Sequence, residues 1–237
     1  MELTGQIAIV TGAGKGIGRA IAIALAKAGV HVGLVARTRA DLDALAAELA
    51  ALGVRTAVAT ADVGDRAQAE AAVAALAASL GSATILVNNA GVAAFGSVLD
   101  MDPDEWERMF RVNMFGTYYV TRAALPAMIA ARNGEIVNIA STAGRAGSAT
   151  RSAYSASKAA MLSFTESLLA EVRKHDVRVT AVLPSTVNTE LAVTLGLTKG
   201  GDDMMQPEDV AELVLAGLRL PRRVVVRDVS LLTTNPK

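Results

Sequence analysis

The chain has no cysteine. That excludes disulfides, thiolate metal sites and cysteine nucleophiles, and it suits the cytoplasm. Histidine is nearly absent too. His31 and His175 are isolated from any carboxylate cluster, so no metal site is expected, and His175 fits pairing with a helix C-terminus. Neither sign of charge is in excess, with 23 Lys plus Arg against 23 Asp plus Glu, so nothing suggests a nucleic-acid or anionic-membrane surface. Residues 71–99 lack charge altogether. That is long enough for a membrane span, but Gly81-Ser82 and Asn88-Asn89 interrupt it; a helix end, a turn and a buried strand explain it better. The opening MELTGQIAIVTG has an acidic second residue and enters a strand directly, which does not read as a signal peptide. There is no serine nucleophile elbow. There is no Walker lysine motif either, because Lys15 lacks a following Ser or Thr.

What remains is 237 residues, 52% hydrophobic and 3% aromatic, which suits one α/β domain over residues 1–237 with a core on both faces of a sheet. Residues 6–11 read as a strand, the run Gly12-Ala13-Gly14-Lys15-Gly16-Ile17-Gly18 as a loop, 17–28 as a helix and Val30–Ala36 as a second strand. Strand, glycine loop, helix, strand is the unit that cradles a dinucleotide: glycines let the backbone approach the pyrophosphate, and the helix start offers free N–H groups. After the second strand, Ala36 stands where NAD-preferring sites place a carboxylate, and Arg37-Thr38 follow. An arginine can hold a 2′-phosphate bidentately and Lys15 can add a second cation, which favours NADPH over NADH. The alternative is that Arg37 and Arg39 are solvated loop charges.

Further on, a helix is expected over 39–52, a strand over 54–60, a helix over 65–80 and a strand over 85–87. Asp62-Val63 ends the third strand, where Asp62 could equally be a turn residue or a helix cap. Asn88-Asn89-Ala90-Gly91 is a polar, small-tipped turn at the carboxyl end of a parallel strand, where such folds bind ligands. Asp100 to Glu105, with Pro103, starts a helix running to about 131, with adjustments expected near Gly116 and Pro126, and containing Asn113. A strand over 136–141 ends on Ser141. Tyr154 and Lys158 then share one face of a helix over 152–174. A cation beside a phenol favours phenolate and lowers its pKa, although such a pair is often only a packed ring and a solvated amine. Pro184 to Thr189 follow a strand over 177–183. Residues 190–206 read as a short glycine-containing lid, 207 onward as a helix, and 224–227 as the last strand.

Together, Thr11-Gly12-x-x-x-Gly16-x-Gly18, Asn88-Asn89-Ala90-Gly91, Asn113 and Ser141 with Tyr154-x-x-x-Lys158 resemble the classical branch of the short-chain dehydrogenase/reductase family. Within that family the chain is most similar to 3-oxoacyl-[acyl-carrier-protein] reductases. The resemblance covers essentially the whole chain. It implies a Rossmann-type doubly wound parallel sheet of about seven strands and hydride transfer between NADP(H) and a carbonyl. It implies catalytic roles for Asn113, Ser141, Tyr154 and Lys158. It also implies cofactor contacts from Gly12, Gly14, Lys15, Gly16, Ile17, Gly18, Arg37, Thr38, Asp62 (towards the adenine), Val63, Asn89, Ala90, Gly91, Tyr154, Lys158, Pro184, Val187 and Thr189. The family usually has Pro-Gly where this chain has Pro184-Ser185. The implied substrate is an acyl-carrier-linked carbonyl, for which Arg122, Arg145 and Arg151 could form a basic patch. Free small carbonyls are the alternative, and a non-catalytic NADP(H)-binding regulator is the remote one. A homotetramer or homodimer through the helices near 104–131 and 152–174 is implied by analogy.

Overall fold

The computed structural model describes residues 2–234; Met1 and residues 235–237 of the expected domain lie outside the described residues. Seven strands form one fully parallel sheet: β1 (Ile7–Thr11), β2 (His31–Ala36), β3 (Thr56–Thr60), β4 (Ile85–Asn88), β5 (Gly134–Ile139), β6 (Val177–Pro184) and β7 (Asp228–Leu231). Their order is β3-β2-β1-β4-β5-β6-β7. The order reverses between β1 and β4, and the crevice at the carboxyl ends of these two strands is the ligand position of such sheets. The helices are α1 (Gly16–Lys27), α2 (Arg39–Ala50), α3 (Arg66–Leu80), α4 (Pro103–Phe110), α5 (Thr117–Ala131), α6 (Ser152–Val172), α7 (Glu190–Thr194) and α8 (Pro207–Arg219). No helix among the described residues is long and apolar enough to cross a membrane.

Strand alternation divides the core in two. Ala8, Val10, Val32 and Leu34 pack with Ile21, Leu25, Leu45 and Val214 beneath α1, α2 and α8. Ile9, Val35, Leu86 and Val179 face the opposite side with Leu76, Val120, Met128 and Leu168 from α3, α5 and α6. Gly33 leaves room for Leu76, whose methyl carbon would lie 3.0 Å from a Cβ there.

The helix expected to run to about 131 is adjusted at Gly116, as anticipated, and stays regular at Pro126. Residues Arg111–Gly116 form a π-helical turn between α4 and α5. Gly116 sits against Val63, whose side chain would lie 2.8 Å from any Cβ at that position. Pro126 is accommodated inside α5. The last strand is also displaced from 224–227 to Asp228–Leu231. The carbonyl of Val224 accepts from Arg178 Nη1 (2.6 Å) and that of Val226 from Thr180 Oγ1 (2.7 Å), so side chains occupy groups a strand ladder would use. Regular pairing with β6 begins at Ala181 opposite Asp228.

At the amino ends of the central strands, Glu135 and Arg178 are register partners, and both are buried. The Arg178 Nε donates to both Glu135 oxygens at 2.8 Å, and its other nitrogens donate to the carbonyls of Leu218, Leu220, Pro221 and Val224. This one guanidinium ties the end of α8 to the sheet.

Candidate active site

Thr11 ends β1 inside the crevice. Its Oγ1 accepts from the N–H groups of Asn89 (3.0 Å) and Ala90 (3.1 Å), and the Asn89 side chain donates to the carbonyls of Thr11 (3.0 Å) and Gly12 (3.2 Å). These bonds clamp the glycine loop to the Asn88–Gly91 turn. A Cβ at Gly12 would lie 2.8 Å from Asn89 Nδ2, and one at Gly18 would lie 2.3 Å from the Gly12 carbonyl oxygen. Gly18 therefore serves close packing behind the loop and does not line the cavity. Gly16 has φ +53° and faces Thr189. Asn88 points the other way, into the sheet, donating to Thr121 and Asn138 at 2.9 Å each.

The cavity of about 710 Å³ runs along the carboxyl ends of the strands. Its walls include every residue expected to touch a cofactor except Gly18: Gly12, Gly14, Lys15, Gly16, Ile17, Arg37, Thr38, Asp62, Val63, Asn89, Ala90, Gly91, Tyr154, Lys158, Pro184, Val187 and Thr189. Asp62 accepts from the Gly64 N–H at 2.9 Å, while Asp65 caps α3 by accepting from Gln68 N. Asp62 is therefore not the α3 cap. Arg37 is exposed and has no carboxylate partner among the described residues. Lys15 differs from expectation: its Nζ lies 3.0 Å from Glu190, the first residue of α7, and this carboxylate offsets its charge. Hydrogen bonding to Glu190 holds the Lys15 ammonium above the usual lysine range. Asp41, which the sequence reading passed over, also lines this end, beside Gly14.

At the other end stand Ser141, Tyr154 and Lys158. Lys158 is 4% exposed and donates from Nζ to the Ile139 carbonyl at 2.8 Å. Burial without a carboxylate pushes its pKa down to about 8. Its Nζ lies 5.9 Å from the Tyr154 ring centre. The phenol differs from expectation. Burial raises its pKa, while the hydrogen bond with Ser141 and the charge of Arg151 work in the lowering direction. Desolvation of the phenolate outweighs the neighbouring groups, so Tyr154 is a protonated phenol at neutral pH. Ser141 is held by accepting from the Ala143 N–H (3.2 Å) and by donating to the Pro184 carbonyl (3.4 Å).

Asn113 lies in the π-helical turn and is fully buried. Its Oδ1 accepts from the Val92 N–H (2.8 Å), and its Nδ2 donates to the Val92 carbonyl (3.0 Å) and to Ser157 Oγ (3.0 Å). The side chain thus braces the wall between Gly91 and α6 and stays outside the cavity lining. The Ser141–Tyr154 connection needs a glycine at 144. A Cβ at Gly144 would lie 2.8 Å from the Lys158 carbonyl carbon, whereas nothing approaches Gly147 within 4 Å.

The model of short chain dehydrogenases matches residues 6–199. The chain belongs to the short-chain dehydrogenase family. An uncharacterized oxidoreductase of Staphylococcus aureus (strain MRSA252) is 36% identical over 228 residues, spanning 96% of this chain and 97% of its own. A glycine betaine reductase of Emericella nidulans is 37% identical over 238 residues, spanning 96% of this chain and 18% of that protein. A metagenomic short-chain oxidoreductase in complex with NADP matches at TM-score 0.87 and 35% identity over 100% of both chains. An alcohol dehydrogenase from Thermococcus sibiricus complexed with 5-hydroxy-NADP matches at TM-score 0.91 and 27% identity, over 98% of this chain and 99% of that one.

This short-chain dehydrogenase departs from its family at Ser185 without local strain. The Ser185 N–H donates to the Leu231 carbonyl at 2.9 Å, and positive φ, which would favour glycine, is not found there. Beyond it, residues 190–206 are pinned at both roots. Val187 bridges Met205, and the Asn188 N–H donates to the Met205 carbonyl at 2.8 Å. Thr189 caps α7 by accepting from Ala192 N. Leu191, Leu195 and Leu197 then supply an apolar wall to the cavity.

Proposed function

We propose that this chain is an NADP(H)-dependent oxidoreductase that reduces a carbonyl to an alcohol. The observation that carries the reading is one cavity with a protonated phenol, a buried ammonium and a serine hydroxyl at one end and a glycine loop beside an unpaired arginine at the other. The residues fit the cofactor. Ala36 leaves the second-strand position free of a carboxylate, Arg37 is available for a 2′-phosphate, and the start of α1 offers N–H groups to the pyrophosphate. When bound, NADPH supplies hydride. Tyr154 donates its proton to the carbonyl oxygen, and Ser141 donates a hydrogen bond to that oxygen and orients it. Lys158 holds the nicotinamide ribose and favours the phenolate left behind. The backbone of Asn113 orders a water through which the proton is replaced. Gly12, Gly14, Gly16, Ile17, Thr38, Asp62, Val63, Asn89 to Gly91, Pro184, Val187 and Thr189 line the cofactor.

For the substrate, a 3-oxoacyl-[acyl-carrier-protein] reductase reading needs a basic surface for the acidic carrier. Of the three candidate arginines, Arg122 pairs with Glu70 (3.1 Å) and Arg145 pairs with Asp228. Only Arg151 remains unpaired among the described residues, so the reading favoured here is a free small carbonyl. NADPH consumption with carrier-linked 3-oxoacyl thioesters against free ketoesters, oxo acids and diketones tests this. Faster turnover of the carrier-linked substrates would overturn it, and cofactor binding without turnover across the panel would favour the non-catalytic regulator. A homodimer or homotetramer is proposed through α4, α5 and α6; Trp106 on α4, Phe115 in the π-helical turn and Tyr118 on α5 are exposed. The cytoplasm is the proposed compartment.

A further inference from the structure

Five cations line the cavity: Lys15, Arg37, Arg108, Arg151 and Lys158. Lys15 is paired with Glu190, Arg108 with Glu105 at 2.8 Å, and Lys158 is held by the Ile139 carbonyl. Arg37 and Arg151 have no carboxylate partner among the described residues, and they stand at opposite ends. Arg37 belongs to the adenosine end. Arg151 sits three residues before Tyr154, immediately before α6. Its guanidinium carbon lies 4.8 Å from the centre of the Phe95 ring, and that ring meets Tyr154 edge-on at a centroid separation of 6.2 Å. Phe95 lines the cavity too, so a cation is laid along an aromatic wall that continues to the phenol. Such stacking fixes the plane of a guanidinium and leaves its edge free for a bidentate anion. Leu191, Leu195 and Leu197 add apolar lining to the same cavity.

We infer that Arg151 binds the carboxylate of the substrate, and that the substrate class is a free 2-oxo or 3-oxo acid with a short aliphatic chain. This rests on the reading of the chain as a carbonyl reductase. The carboxylate lies on Arg151, the carbonyl oxygen lies between Ser141 and Tyr154, and the chain lies on the lid leucines. A carrier's prosthetic arm also bears an anion, its phosphate, but many bonds separate that phosphate from the thioester-linked carbonyl. The short path from Arg151 through Phe95 to Tyr154 suits a carboxylate on the same small molecule.

Three arms on the full-length protein test this. Steady-state NADPH oxidation is measured with 3-oxohexanoate, 2-oxohexanoate, the methyl ester of each, and a pantetheine-phosphate thioester of 3-oxohexanoate. The variants are Arg151→Leu and Arg151→Lys. Binding of hexanoate, which cannot be reduced, is measured by calorimetry on protein saturated with NADP+. The wild type is expected to favour at least one acid over its ester. Arg151→Leu should lower kcat/KM for that acid about 10- to 100-fold, as expected for one lost charge-assisted contact, with a much smaller change for the ester and Arg151→Lys partly restored. Hexanoate binding should weaken in parallel. Equal losses for acid and ester, a wild type that prefers both esters, or a selective loss on the pantetheine thioester would each overturn the inference. If no carbonyl is turned over, the reductase reading fails. In that case unweakened hexanoate binding in Arg151→Leu separately overturns the anion site, and weakened binding upholds that site alone.

Discussion

Lys158 offers a prediction that can be worked through from its surroundings. Its ammonium is buried against a backbone carbonyl with no carboxylate, and its pKa falls from 10.5 to about 8. Below pH 8 the lysine is protonated in both the folded and unfolded chain, so the folded state carries the full cost of a desolvated cation. Between pH 8 and 10.5 the unfolded chain binds the proton and the folded chain releases it. Stability therefore rises with pH across this window. At about 1.36 kcal/mol per pH unit the full rise is about 3 kcal/mol, of which about 2 to 3 kcal/mol is gained by pH 10. Stopping at pH 10 keeps Tyr154 out of the measurement, because its raised pKa would pull stability down only above the ordinary tyrosine value. Lys158→Met has no titrating group there. Urea unfolding followed by circular dichroism, without cofactor, should show the wild type gaining stability relative to this variant from pH 7 to 10. Parallel curves would refute the buried, unpaired ammonium.

Three further outcomes follow from other parts of the molecule. Arg37→Ala should weaken NADPH binding about 10- to 100-fold and leave NADH unchanged, read by quenching of Trp106 fluorescence or by calorimetry. Arg178→Met leaves the buried Glu135, whose pKa desolvation already raises, with Arg222 at 3.8 Å in place of its direct partner, and should cost about 3 kcal/mol in urea unfolding; adding Glu135→Leu should recover most of that. Gly18→Ala forces a methyl group against the Gly12 carbonyl and should lower both thermal stability and NADPH affinity, although residue 18 lies outside the cavity lining.

The first six strands were legible because each is a short, largely apolar run bounded by glycine or a polar turn, and because the glycine loop fixes which turn is the crevice. Most of the cavity lining was legible for the same reason: Ser141, Tyr154 and the glycine loop lie at strand ends or helix starts with fixed spacing. What escaped the sequence depends on distant partners. Gly116 marked an adjustment of the helix, but not that it is a π-helical turn; that turn brings the Asn113 side chain onto Val92 and fits Gly116 against Val63. The Lys15–Glu190 pair joins the glycine loop to the lid, across most of the chain. The Tyr154 pKa direction depends on burial, which helical spacing alone does not reveal. The last strand was placed early because Val224 to Val226 have high β-propensity, whereas Arg178 and Thr180 already claim their carbonyls.

The central claim is that Tyr154 delivers the proton to the carbonyl oxygen. Single-turnover reduction with preloaded NADPH, comparing the wild type with Tyr154→Phe, tests it most directly. The phenylalanine keeps the ring against Phe95 and removes only the hydroxyl. The hydride-transfer rate should fall about 10²- to 10⁴-fold while the NADPH dissociation constant is unchanged. A Tyr154→Phe variant that reduces the carbonyl at the wild-type rate would contradict the account.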